Sequence, residues 1–207
     1  MNGVSVSQVQ QPRTPPPPRI YQLQVSLEGI SPPIWRQLQV RSDITLHELH
    51  KALQLVLGWQ DYHLYQFILS TRKGLRYYGE PDPEFPEPHI YQAKRTRLKT
   101  VLPTLDEILT YEYDFGDGWR HHLVVEDILE PEPGVRYPRC LAGARSCPPE
   151  DCGGPHGYQD LQRILHDPDD EEHEDIVTWA GEGYDPERFD VDVVNAALYV
   201  LMDGARR

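Results

Sequence analysis

Apolar and polar residues alternate from Ile20 to Leu27, through Ile-Tyr-Gln-Leu-Gln-Val-Ser-Leu. A period of two marks a strand with one buried face. Ser31-Pro32-Pro33 reads as a turn, and Ile34 to Val40 predicts a second strand, antiparallel to the first. The period then becomes helical. Leu46, Leu49, Leu53, Val56 and Leu57 fall on one face, Thr45 and Glu48 form a capping box, and Gly58 supplies the stop. Leu64 to Ser70 and Leu75 to Tyr78 predict another strand pair around Arg72-Lys73-Gly74. Residues 80–97 read as a loop, and Thr104 to Leu109 as one helical turn capped by Thr104 with Glu107. Strands are expected on both sides of Asp117-Gly118, the second from Trp119 to about Ile128. Residues 131–156 read as a long Pro/Gly/Cys loop, before helices over about 157–166, 169–180 and 189–203. The order predicts an α+β fold: an antiparallel sheet, one helix inserted early, and a C-terminal group of packed helices.

Composition sets the domain limits and narrows the function classes. The 207 residues suffice for one good core. Residues 1–18, with Pro12 and Pro15 to Pro18, read as a flexible Pro-rich tail, and residues 19–207 as a single domain. Asp plus Glu number 33 against 20 Lys plus Arg, a formal net charge of −13. Non-specific nucleic-acid binding needs cations against phosphates, so this balance argues against it. The exception, Lys94-Arg95-Thr96-Arg97-Leu98-Lys99, reads as a solvated segment. No apolar run has the length of a membrane span, and no apolar signal core opens the chain. Three cysteines between positions 140 and 152 fit reduced thiols and a cytoplasmic setting.

Two segments carry candidate chemistry. The first is Tyr113-Asp114-Phe115-Gly116-Asp117-Gly118-Trp119. Asp-Gly between apolar runs is a hairpin signal, because a type I′ turn needs positive φ twice. A two-residue Asp117-Gly118 loop sets Asp114 opposite His121 and places Glu112, Asp114, Trp119 and His121 on one face. Tyr111, Tyr113, Phe115 and His122 then fall on the core side. A facing Asp-His pair orients an imidazole for acid-base work or metal binding, or is simply an exposed polar pair. The second segment holds Cys140, Cys147, Cys152 and His156, residue types that tetrahedral zinc uses. The C-x2-C knuckle is absent, so buried reduced thiols are the competing reading. Glu150 and Asp151, beside Gly153-Gly154, read either as helix and loop caps or as metal carboxylates with Asp114 and Asp117. The carboxylates between Asp167 and Asp175 read as the acidic first turn of a helix.

Several motifs occur in order: Pro33-Ile34-Trp35-Arg36; Leu49-His50 with Gly58-Trp59 and His63-Leu64; Tyr113 to His121; Cys147-Pro148-Pro149-Glu150-Asp151 with Gly153-Gly154 and Gly157-Tyr158; and Phe189-Asp190 with Asn195. Over about residues 20–203 the chain resembles the plasmid pRiA4b ORF-3-like family, found in bacteria and archaea and among passenger genes of mobile elements. The resemblance implies an α+β fold with an antiparallel sheet and packed helices. It implies no activity. Some relatives carry a resolvase-like label, but this chain has no serine- or tyrosine-recombinase pattern.

Three functions follow as expectations. The first is a non-enzymatic interaction or accessory domain for a protein partner, with Trp35, Trp59, His63, Trp119 and Tyr158 as contacts. The second is a metal-dependent hydrolase or nuclease using Asp114, His121, Glu150 and Asp151, with His50 or His63 as further members. The third is a zinc-stabilised binding domain built on Cys140, Cys147, Cys152 and His156. The cofactor is thus zinc or another divalent metal, or none. The second reading requires its residues to converge.

Overall fold

The computed structural model describes residues 17–81, 90–181 and 183–204. The Pro-rich tail reading therefore lies almost wholly outside the described residues, as does the middle of the 80–97 loop. The first elements form where the pattern places them. Strands β1 (Ile20–Leu27) and β2 (Trp35–Arg41) pair antiparallel. Helix α1 (Leu46–Leu57) opens on the Thr45–Glu48 capping box and closes on Gly58 at φ 81°. Its apolar stripe of Leu46, Leu49, Leu53, Val56 and Leu57 is buried.

Strands β3 (Tyr65–Thr71) and β4 (Gly74–Gly79) make the second hairpin, and β5 (Ile90–Gln92) runs parallel to β4. A short 3-10 turn, Ala93–Arg95, and helix α2 (Leu98–Val101) follow, so the expected 80–97 loop holds a strand and a turn. Lys94 pairs with Glu80 and Arg97 with Asp43, which neutralises much of the basic run. The helical turn expected at Thr104–Leu109 does not form. Thr104 N–H still bonds the Glu107 carboxylate at 3.2 Å, but β6 (Ile108–Tyr113) draws the following residues into the sheet. After β7 (Trp119–Leu129), β8 (Arg139–Ala144) lies inside the expected long loop and pairs with β2. Helices α3 (Gly154–His166), α4 (His173–Ala180) and α5 (Val191–Gly204) end the fold. Helix α4 starts later than expected, because residues 167–172 fold as turns.

The described strands form one sheet ordered β5-β4-β3-β6-β7-β1-β2-β8, antiparallel except for β4–β5. One face is apolar. Register lines up Phe67, Tyr111, His121 and Leu27 across four strands, and all four are buried. The other face carries Gln22, Gln37, Gln66, Glu112 and Glu126, joined by side-chain hydrogen bonds. Such one-sided sheets give the alternation read in β1. Asn195 ties α5 to β8, its amide exchanging two hydrogen bonds with the Cys140 backbone. Arg36 is buried, donates to the Val56 and Ala144 carbonyls, and stacks 4.5 Å from the Phe189 ring centre. The Pro33–Arg36 and Phe189–Asn195 motifs thus act in packing.

The hairpin differs from its expected register. Tyr113 faces Trp119, Glu112 faces Arg120 and Tyr111 faces His121. The loop is therefore Asp114 to Gly118 rather than a two-residue turn. This odd shift exchanges faces. Trp119 and His121 enter the core with Tyr111 and Tyr113, whereas Phe115 is 51% exposed in the loop and His122 joins the polar face near Glu28. The facing Asp114–His121 pair does not exist. The observed register buries Trp119 and His121 against aromatic neighbours, and that burial outweighs the local preference of Asp-Gly for a tight turn.

Candidate functional site

Three loops meet at one end of the apolar face: residues 58–64 after α1, residues 114–118 between β6 and β7, and residues 145–153 after β8. Tyr113 is their common post. Its hydroxyl accepts from the Tyr62 and His63 amides at 3.0 and 3.4 Å and donates to Glu150 Oε1 at 2.5 Å. Glu150 also accepts from the Gln60 amide, and Trp59 donates to the Pro148 carbonyl while stacking on Tyr113. Asp117 Oδ2 accepts from Gly153 N–H, closing the third side. The approach is tight: a Cβ on Gly154 would meet the Asp117 carbonyl oxygen at 2.5 Å.

A buried network holds the first loop. Gln54 donates to the Tyr111 hydroxyl, Tyr111 lies 2.8 Å from His50 Nδ1, and His50 Nε2 lies 2.8 Å from Asp61 Oδ1. The carboxylate can only accept, so Nε2 carries the proton and Nδ1 accepts from Tyr111. Burial holds His50 neutral, lowering its pKa to about 4. Asp61 sits at φ 61°, bonded also to Lys51 and through its amide to Gln54. Locking Asp61 fixes the path of the chain to His63.

At the meeting point stand His63, Asp114 and Asp151. One ligand atom from each lies within 4.8 Å of the others, and this is the only such His/Cys/Asp/Glu group among the described residues. His63 Nε2 is 3.1 Å from Asp151 Oδ1 and 3.7 Å from Asp114 Oδ2. Nε2 is shielded from solvent yet makes no hydrogen bond. Asp114 is 8% exposed. Its Oδ1 accepts from the Gly116 and Asp117 amides, which shapes the loop and leaves Oδ2 toward His63. Asp114 and Asp151 both adopt left-handed backbone, at φ 55° and 61°. Aspartate tolerates this conformation better than bulkier residues, and outliers of this kind gather at ligand sites. One imidazole and two carboxylates form a mixed nitrogen and oxygen set suited to Mn²⁺ or Zn²⁺.

The expected residues separate into two sets. Asp114, Asp151 and His63 converge, and Glu150 joins through Tyr113. His121 does not: it is fully buried under Trp59, with both ring nitrogens unpaired and its pKa lowered by burial to about 3. His50 supports the loop from behind. Cys140, Cys147, Cys152 and His156 form no ligand group. Cys140 lies in β8, Cys147 packs 3.6 Å from the Arg36 guanidinium, and His156 is exposed on α3. Burial pushes the Cys140 and Cys147 thiols up to about 11 and Cys152 to about 12, so all three stay protonated. Glu150 and Asp151 do not cap α3, whose N-cap is Gly153.

Among the expected contact residues, Trp59, Trp119 and Tyr158 are buried at 5%, 1% and 0% exposure. Trp35 is half-buried on the polar side of β2. The exposed apolar side chains near the site are instead Tyr62, Leu64, Phe115 and Trp179. Beside Asp151 opens a pocket of about 420 Å³, bounded by Trp59, Tyr62, Glu150, Asp151, Trp179 and Tyr184, among others. Trp179 and Tyr184 carry no local sequence signal for a site. Only their place beside the 145–153 loop brings them in.

The family described as Plasmid pRiA4b ORF-3-like protein matches residues 19–193. An uncharacterized protein of Sinorhizobium fredii, y4hQ, is 34% identical over 180 residues, covering 86% of this chain and 90% of that one. A solved structure, a protein of unknown function from Methanosarcina mazei Go1, MM3350, shares 39% identity with a TM-score of 0.78. It covers 84% of this chain and 97% of that one.

Proposed function

This chain belongs to the plasmid pRiA4b ORF-3-like family, whose matched relatives are described as uncharacterized or of unknown function, and we propose from its geometry a divalent-metal-dependent hydrolytic site at His63, Asp114 and Asp151. The observation that carries the reading is the shielded, unpaired His63 Nε2 facing two carboxylates. One imidazole nitrogen and two carboxylate oxygens face one another there. A divalent cation satisfies all three donors at once.

Such an ion supplies Lewis acidity and a water that ionises near neutral pH. The chain supplies the rest. Asp114 is held by its own turn, His63 by the Tyr113 hydroxyl, and Asp151 by the loop whose neighbour Glu150 is fixed on Tyr113. Asp151 also borders the 420 Å³ pocket, so a molecule bound there lies against one of the three proposed ligands. The test is hydrolysis of a panel of chromogenic esters and peptide amides. Turnover should need Mn²⁺ or Zn²⁺, disappear with EDTA, and fall at least about 100-fold in Asp114→Asn. Turnover indifferent to both would refute the reading.

A second reading, a metal-dependent binding module for a protein partner, draws on the exposed rim. Tyr62 is 70%, Leu64 69% and Phe115 51% exposed around the cluster. Metal binding without turnover on any substrate, together with metal-dependent capture of a partner, would favour it.

A further inference from the structure

The pocket beside the cluster has a charge and ring composition that select its ligand. Its lining includes two carboxylates, Glu150 and Asp151, and no Lys, Arg or His among the described residues. Four aromatic rings, Trp59, Tyr62, Trp179 and Tyr184, share the wall. Trp179 is 48% and Tyr62 70% exposed, so neither ring is fully used in packing. Glu150 accepts one hydrogen bond at each oxygen, from Tyr113 and from Gln60. A carboxylate has about four lone-pair sites, so each oxygen can still take an N–H from a ligand. The chain's formal charge of −13 adds a long-range attraction for cations.

Without a metal, phosphates fit this lining badly, because two carboxylates repel them and no cationic side chain among the described lining residues offsets the repulsion. Guanidinium and alkylammonium groups fit it well: the carboxylates accept their N–H groups and the rings offer electron-rich faces. A volume of about 420 Å³ lies in the range of small-ligand sites.

We propose that this pocket receives the cationic side chain of a basic peptide, with the peptide backbone passing toward His63, Asp114 and Asp151. The side-chain pocket stands without the metal; only the consequence for hydrolysis, that the substrate is a basic peptide, rests on the function proposed above.

The experiment is calorimetry on the full chain in EDTA, with three probes: an acetylated Gly-Arg-Gly amide, the same peptide with neutral, isosteric citrulline, and AMP. The arginine peptide should bind, citrulline should weaken binding about tenfold or more, and AMP should not compete. Trp179→Ala, on an exposed position of α4, and the near-isosteric Glu150→Gln should each weaken the arginine peptide about fivefold or more while the circular dichroism stays that of wild type. Equal affinity for citrulline, displacement by AMP, or full affinity in both variants would overturn the proposal. Because EDTA removes any metal, failure here is distinct from failure of the metal site, which a separate Mn²⁺ titration reads.

Discussion

His63 Nε2 lies 3.1 Å from Asp151 Oδ1, yet the two atoms form no hydrogen bond. Asp114 Oδ2 approaches the same nitrogen at 3.7 Å. The turn around Asp114 and the Tyr113 hydroxyl create this arrangement, and both can be altered without touching a ligand atom.

Tyr113→Phe removes only the hydroxyl that accepts from the Tyr62 and His63 amides and donates to Glu150. Two part-buried amides then lose their acceptor, at a cost of about 0.5–1.5 kcal/mol per hydrogen bond in stability. Metal affinity should fall about tenfold or more, as it does when groups that orient ligands are removed. Denaturant unfolding and Mn²⁺ titration on one sample check both. A variant that unfolds more easily but binds metal as wild type would show that Tyr113 serves the fold alone.

Gly154→Ala places a methyl where the Asp117 carbonyl oxygen lies at 2.5 Å, in backbone at φ 69°. The 145–153 loop must move away from the hairpin. Stability should drop by about 1–3 kcal/mol, and Asp151 should lose its place near His63. Gly134, also at positive φ (80°) but with open space around its Cβ, serves as the control. Gly134→Ala should leave metal affinity unchanged. Equal effects on metal binding would contradict the claim of close loop docking.

Acid should destabilise the fold through two buried imidazoles. Unfolded histidine titrates near 6.5, whereas burial lowers His50 to about 4 and His121 to about 3. Between those values the unfolded chain binds more protons, so stability falls as pH falls. The contribution is complete above about pH 6.5 and is lost toward pH 3–4. Each group adds a slope approaching about 1.4 kcal/mol per pH unit. His121→Leu removes one of them, together with two unpaired buried nitrogens. Its urea midpoint at neutral pH should match or exceed wild type, and its loss on acidification to about pH 5 should be smaller. The same acid loss in both proteins would contradict this.

The elements legible in the sequence are those fixed by local chemistry. β1 announces itself by alternation, and α1 by Thr45, Glu48 and Gly58. β8 was not legible, because Arg-Cys-Leu-Ala-Gly-Ala has little β-branching and becomes a strand by pairing with β2. The hairpin misleads because Asp117-Gly118 satisfies a two-residue turn locally. The register is set instead by burying Trp119 and His121 against Tyr111 and Tyr113. Of the site, Asp114, Asp151 and His63 could be named from residue type. Their convergence could not, since it depends on three loops gathered by Tyr113 and Glu150, a contact between segments distant in the chain.

The most direct measurement is calorimetric titration of Mn²⁺ into EDTA-treated, dialysed protein, comparing wild type with Asp114→Asn and Asp151→Asn. Asparagine keeps the Asp114 turn acceptor and tolerates left-handed backbone, so both variants should fold. Wild type should bind one ion, and each variant should lose about tenfold or more in affinity. Absence of binding heat from wild type at all temperatures tried, or equal affinity in all three proteins, would contradict a metal site at His63, Asp114 and Asp151.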